Sequence, residues 1–447
     1  MIFQYSLYKS HYKSSFILGV PIIIGQIGNI VLSFADTLMI GHHDTQELAA
    51  ASFVNSIFNL FILSSVGFTY GLTPLVGGLE GCGNHRGVGK IVKNSLGANS
   101  AVAIVLVAFM FLLFMSLDYL GQPTELLPIM KPYFLILLFS LPFVLWFNTF
   151  KQFADGITDT RIPMWILLSG NLLNIIGNYF LIYGACGFPE LGLNGAGFST
   201  LFARIYMVAA AGFFFMRGRR YKVYWEGFRM GHLNKKDFLE LNRLGWPVFF
   251  QIGMETASFS LSSIMVGWIG TIALAAHQIM LTVSQVCYLV YYGMSAAVAV
   301  RVAHFKGQHD VANVKRAANA GFHLILLLAI VTSLPVFVLR NQIGLWFTES
   351  PDVVQLVALT VIPFMAYQFG DGLQCTFSNA LRGIGDVKPM VLYAFISYFV
   401  VSLPVGYLFG IVLGYGLVGV WCAFPFGLTI AGILYCLRFR KSVSLLH

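Results

Sequence analysis

The stretch RGRRYKVYWEGFRMGHLNKKDFLELNR, residues 217–243, is the longest polar segment in a chain of 447 residues, and it stands near the middle. It holds eight Lys and Arg. On either side the chain is almost continuously apolar: 57% of residues are hydrophobic, 10% are charged and mean hydropathy is +0.78. An average soluble domain is about 25% charged. This composition excludes a disordered chain, a nucleic-acid-binding module and a water-soluble enzyme, each of which needs far more polar surface.

A helix needs roughly 20 apolar residues to cross a bilayer. The apolar runs, divided by polar, Gly or Pro breaks, predict twelve transmembrane helices. They fall near 15–40, 47–77, 91–117, 126–152, 160–184, 193–216, 238–267, 272–303, 312–339, 353–380, 387–411 and 416–437. The ten-residue alternating strands of a barrel do not occur in this pattern. With the N-terminus inside, the predicted cytoplasmic segments carry 24 of the 27 Lys and Arg. Lys131 and Arg340 fall on the other side, and Arg204 lies within a span. This asymmetry predicts a multi-pass protein of the cytoplasmic (inner) membrane with both termini cytoplasmic. It also accounts for the net charge of +9 without a polyanionic partner. The segment before the first span carries Lys9 and Lys13 and no small-residue cleavage site, so that span reads as a retained helix. The six cysteines, Cys82, Cys186, Cys287, Cys375, Cys422 and Cys436, have no paired spacing and read as small buried hydrophobes.

Sliding the second half onto the first gives an ungapped match at a shift of 226. Pro21 falls on Pro247, Met39-Ile40-Gly41 on Met265-Val266-Gly267, and Leu48-Ala49-Ala50 on Leu274-Ala275-Ala276. Gly67 falls on Gly293, Gly81 on Gly307 and Pro163-Met164 on Pro389-Met390. The chain therefore divides into an N-terminal lobe, 1–216, a basic cytoplasmic linker, 217–237, and a C-terminal lobe, 238–447. The shift spans six helices, an even number, so both copies share one orientation. Two such six-helix bundles facing each other across a cleft form a transporter architecture.

Three acids sit well inside apolar spans: Asp36, Glu255 and Asp371. A carboxylate at that depth costs several kcal/mol unless paired, hydrated or protonated, so each is a functional candidate. Arg204 reads as the one deep base. Gln251, Glu255, Ser258 and Ser262 recur at helical spacing, as do Tyr367, Asp371, Gln374 and Ser378, and Asn171, Asn174 and Asn178. Polar stripes also serve as glue between helices, but a stripe containing an acid favours a water-lined cavity. An oxygen-rich pocket with one or two carboxylates suits Na⁺; a desolvated carboxylate suits H⁺. Either ion serves as the coupling device of an antiporter, and the same negative pocket attracts organic cations. Pro21 and Pro247, at equivalent points of the first and seventh spans, bend their helices and are candidate gating kinks or static ones.

At these residues the chain resembles the MATE (multidrug and toxic compound extrusion) transporters, and within them the NorM-like branch. The resemblance is carried by FADTLMIG at 34–41, LAAHQ at 274–278, AAVAVRVAHFKGQHD at 296–310, YQFGDGLQ at 367–374 and LRGIGD at 381–386. It implies an all-α fold of twelve helices in two pseudo-symmetric six-helix bundles. It implies a secondary active transporter, not an enzyme, that exports small cationic amphipathic compounds by antiport with Na⁺ or H⁺. It implies a cation site at Glu255, Asp371 and Tyr367 in the C-terminal lobe, with Na⁺ as the candidate metal at Glu255 and Asp371. An N-terminal-lobe site is implied at Asp36, Asn174 and Asn178. Some proton-coupled members carry an acid where this chain has Asn near 178, which leans the reading toward Na⁺. A functional monomer in a lipid bilayer, with no nucleic acid and no cofactor beyond the coupling ion, is expected. A lipid-linked precursor flippase of the same superfamily is the nearest rival, but such proteins carry several basic residues in the cavity. His232 and Asp237 have the spacing of a membrane-bound acyltransferase motif, a remote reading because the motif is short and lies on the linker. No Walker motif points to ATP.

Overall fold

A computed structural model describes residues 2–119 and 123–446; the ends of the expected lobes, Met1 and His447, lie outside it. Twelve long helices follow one another: α1 Ile2–His43, α2 Thr45–Thr69, α3 His85–Met115, α4 Leu127–Gly156, α5 Arg161–Tyr183 and α6 Gly192–Arg217. After the linker come α7 Lys235–Gly267, α8 Thr271–Gly307, α9 Val311–Val338, α10 Pro351–Ile384, α11 Lys388–Val412 and α12 Gly416–Ser444. A further helical segment, Leu72–Gly81, continues α2. No strand occurs among the described residues. Local chemistry sets the ends. The Asn84 and Asp310 side chains each accept a backbone N–H three residues on, from Gly87 and Asn313, at 2.9 Å. Gly184 (φ 66°) and Gly385 (φ 75°) close α5 and α10 in the left-handed region that glycine adopts freely.

Among the described residues, eleven spans are long and apolar enough to cross a membrane by length and composition. The twelfth expected span, α7, falls short because Gln251, Glu255, Thr256, Ser258, Ser260, Ser262 and Ser263 interrupt it. The helix with the weakest hydropathic signal is thus one that carries a candidate acid. Large apolar side chains such as Ile104 and Phe139 stand exposed along the helices, as lipid-facing surfaces require.

The chain forms two compact units: Met1–Ile23 with Phe250–His447, and Ile24–Phe249. The divisions fall two residues after Pro21 and two after Pro247, inside α1 and α7, and not at the linker 217–237. Glycines a few residues before each division pack closely within their own unit. Gly19 lies against Met294 and the Gly293 carbonyl, and a Cβ on Gly293 would meet the Gly19 carbonyl at 3.1 Å. At the repeat-related place a Cβ on Gly245 would meet the Phe68 carbonyl at 2.8 Å. Side chains at these glycines would hold the backbones apart.

The linker is a folded element. Its helix Lys222–Met230 packs on α3, with Gly89 against the Tyr224 carbonyl and Gly227 against the Arg86 carbonyl. Tyr224 donates to Glu80 at 3.0 Å, Tyr221 to Asp159 at 2.8 Å, and Lys93 to the Gly231 carbonyl at 2.9 Å. Asp237 pairs with Lys90 at 3.3 Å, while the His232 carbonyl accepts from Asn94, also at 3.3 Å. Asn94 Nδ2 also reaches Asp237 Oδ2 at 3.4 Å, so both residues of the acyltransferase-like spacing are engaged with α3.

Candidate functional site

In the unit Ile24–Phe249, α5 presents Asn171, Asn174 and Asn178 on one buried face, as their spacing predicts. Asn178 Nδ2 donates to Asp36 Oδ1 at 2.5 Å, Asn174 Nδ2 to Thr200 Oγ1 at 3.2 Å, and Asn171 Nδ2 to Asn29 Oδ1 at 3.2 Å. The amide oxygens of Asn174 and Asn178 are buried with no hydrogen-bond partner. Arg204 Nη1 donates to Ser140 Oγ at 2.5 Å, and its charge acts on Asp36 and Tyr133. So Asp36 and Asn178 are joined directly, Asn174 lies one turn away on the same face, and the Arg204 charge acts on the Asp36 carboxylate.

In the other unit, α7, α10 and α11 bring a larger set together. Glu255 Oε2 accepts from Gln251 Nε2 at 3.0 Å and from Gln374 Nε2 at 3.3 Å. Gln374 also donates to Tyr398 OH at 3.1 Å. Asp371, 2% exposed, takes a single weak contact on Oδ1, from Cys375 Sγ at 3.5 Å. Its Oδ2 is buried without a partner, as are Gln374 Oε1 and Ser397 Oγ. The charge of Glu255 acts on Asp371. Tyr367 is buried one turn before Asp371, and its hydroxyl accepts from Ser284 Oγ at 3.1 Å. Its ring is held by Trp421, with centroids 6.0 Å apart, and Trp421 Nε1 in turn donates to His277 Nδ1 at 3.0 Å. An unpaired buried acceptor forfeits about 1–3 kcal/mol. Two carboxylates, one with an unpaired oxygen, together with unpaired amide and hydroxyl oxygens are the donor types a hard cation takes.

Pro21 and Pro247 both lie inside their helices, where the missing N–H removes a backbone hydrogen bond. Two expectations need correction. Arg204 is not the one deep base: Arg301 and Arg382, counted by sequence among cytoplasmic segments, are each 7% exposed within α8 and α10. They sit near helix ends, where hydropathy cannot tell a loop base from one folded inward. Asp155, near the end of α4, is also buried and pairs with Lys151 at 2.9 Å. Finally, Cys82 and Cys186 are exposed because they occupy turns after helices, whereas Cys287 and Cys375 are buried.

The MatE family model matches residues 21–180 and again 247–408, two copies beginning at the paired prolines. The chain belongs to the MatE family. It is a membrane transporter, not an enzyme. It is similar to the multidrug resistance protein NorM of Vibrio cholerae, 30% identical over 433 residues, covering 96% of this MatE chain and 94% of that one. It is also similar to NorM of Photobacterium profundum, 28% identical over 443 residues and covering 97% and 96%. Among solved structures, a eukaryotic MATE transporter superposes with a TM-score of 0.87 at 17% identity, covering 98% of this chain and all of that one. At that identity the likeness shows the fold: twelve helices in two bundles.

Proposed function

We propose that this MatE chain is a secondary active multidrug exporter. It moves small cationic amphipathic compounds out of the cell by antiport with Na⁺, with H⁺ as the alternative coupling ion. The observation that carries the reading is a charge imbalance. In the unit that holds Glu255 and Asp371, the charge of Arg382 acts on Glu255, the charge of Glu255 acts on Asp371, and Asp371 Oδ2 is buried and unpartnered. A surplus negative charge in a desolvated oxygen cage attracts a cation.

Glu255 and Asp371 bind the coupling cation, and Tyr367 shapes the wall beside them. Asp36, Asn174 and Asn178 form a second polar site whose net charge is already compensated. Cation and drug favour different conformations of the transporter, so an inward ion gradient drives drug outward. The charge asymmetry of the loops supports a cytoplasmic-membrane location with both termini inside, and transport needs no second copy of the chain. Buried Arg301 and Arg382 do not revive a flippase, because both are committed to protein groups. Arg301 binds His11 and Ser15, and Arg382 binds Gln251.

The test is efflux of a fluorescent organic cation from vesicles containing the protein. An outside-high Na⁺ gradient at fixed pH is expected to drive it. Efflux under an outside-acid gradient alone would reassign coupling to protons. No efflux under either gradient would overturn the reading in favour of the flippase.

A further inference from the structure

Behind the Glu255 carboxylate stands a buried guanidinium that the sequence placed outside the membrane. Arg382 follows Asp371 on α10 by eleven residues, about three helical turns, and so lies on the same face. Its Nη2 donates to Gln251 Oε1 at 2.7 Å, and it also approaches Asn379 Oδ1 at 3.4 Å. Gln251 is fully buried on α7 and passes its own Nε2 to Glu255 Oε2 at 3.0 Å. A guanidinium only donates and a carboxylate only accepts, so one orientation of the Gln251 amide satisfies both. Arg382 therefore fixes which end of that amide faces the acid, and its charge acts on Glu255 across it.

We propose that Arg382 is a built-in counter-ion that competes with the coupling cation for Glu255 and so keeps that cation releasable. Gln251 is the spacer that stops the guanidinium from forming a direct ion pair. This rests on the reading of Glu255 and Asp371 as the cation site. A site with two carboxylates and no opposing charge would hold its ion tightly, and an antiporter that cannot release its ion does not turn over. Arg382 touches no ion in this scheme: it is a positioning residue that sets affinity through charge and through Gln251.

Equilibrium binding of radiolabelled Na⁺ to the purified full-length protein tests this. Arg382→Gln is expected to bind Na⁺ about tenfold more tightly, the effect of removing one unit charge across a few ångströms of low-dielectric interior. Its efflux at saturating Na⁺ is expected to slow. Arg382→Lys keeps the charge and should stay within about twofold of the wild type, by the same Coulomb argument. A merely structural arginine would weaken binding in both variants and would tighten it in neither. Unchanged or weaker Na⁺ binding by a folded Arg382→Gln protein would overturn the proposal. Should that variant not fold, Arg382→Met removes the same charge with an apolar side chain and is judged by the same criterion. Glu255→Gln separates the two levels. If it binds Na⁺ as the wild type does, the cation-site reading falls, and this inference with it. If it loses Na⁺ while Arg382→Gln is unchanged, this inference alone falls.

Discussion

The two halves of the molecule descend from one repeat, yet they place their acids differently. At the shift of 226, Glu255 corresponds to Asn29, and Asp36 corresponds to Ser262. The acid of the first half therefore lies seven residues further along its helix, about 10 Å at 1.5 Å per residue. In the first half the charge of Arg204 acts on Asp36; in the second the charge of Arg382 acts on Glu255, with Asp371 as a second acid beside it. The scaffold shows the reverse pattern. Pro21 and Pro247, Gly19 and Gly245, and Gly67 and Gly293 all correspond, and Gly19 and Gly245 make equivalent close contacts, against Met294 and Phe68. Steric contacts between backbones leave no room for change. A polar interior tolerates exchange of an amide for an acid, and it is there that the halves have diverged in charge.

Neutralising the acids one at a time is expected to separate the two halves most strongly. Glu255→Gln and Asp371→Asn are each expected to reduce Na⁺-driven efflux at least about tenfold, to background, with expression intact, because coupling needs an ion with unequal affinity for two states. Asp36→Asn should retain Na⁺-driven efflux. Wild-type rates in the first two variants, or a loss confined to Asp36→Asn, would reverse the roles of the halves.

The shared scaffold makes the opposite prediction, equal damage at equivalent places. Gly293→Val and Gly245→Val each drive a side chain into backbone, at the Gly19 and Phe68 carbonyls. Each should destabilise by about 2–3 kcal/mol, read as a lowered melting temperature in detergent. Gly212→Ala, with nothing within 4 Å of the added carbon, should instead stabilise α6 by about 0.5–1 kcal/mol. A harmless valine at either junction would show that the two crossings are not equivalent.

A smaller effect sharpens the charge side. Arg204→Gln removes the counter-charge of half-buried Asp36 and should cost about 1–2 kcal/mol, below the full penalty for breaking a dry ion pair. Unchanged thermal stability would mean that Asn178 alone compensates Asp36.

The smallest effect lies outside the membrane. Burial works against ionisation of Asp386. Hydrogen bonds from Arg438, at 2.6 and 3.1 Å, and from Ser442 outweigh burial and hold its carboxyl below the usual carboxylate range. A depressed carboxylate stabilises above its unfolded value, about 4, and loses that contribution as pH falls through its folded value. Asp386→Asn should therefore melt lower than the wild type at pH 7 by about 1 kcal/mol. The gap should close in acid. A gap that persists at pH 3 would remove the ionised pair as its cause.

Much of the candidate site was legible because helical spacing alone puts Gln251 and Glu255, Tyr367 and Asp371, or Asn174 and Asn178 on common faces. Which face meets which was not. Nothing in the order of residues says that Gln374 reaches Glu255, that Asn178 reaches Asp36, or that His277 steadies the tryptophan beside Tyr367. Those are contacts between helices far apart in sequence. The two windings of α11 with a wider, π-helical turn, Phe395–Ser402 and Leu408–Val412, were equally silent, although Tyr398 of the first lies at the site.

By itself the sequence determined that the chain lives in a bilayer, where its helices lie, that they come as a duplicated set, and that acids stand among them. Each of these is a one-dimensional property, because apolar length decides insertion and a repeat is a comparison of the chain with itself. The tertiary structure decided which charges share a dry interior, that Arg301 and Arg382 fold inward, that the linker docks on α3, and that α1 and α7 each divide between two units just past a proline. Those outcomes depend on the close packing of distant segments, through glycines and buried amides, and packing is a three-dimensional property that no run of residues contains.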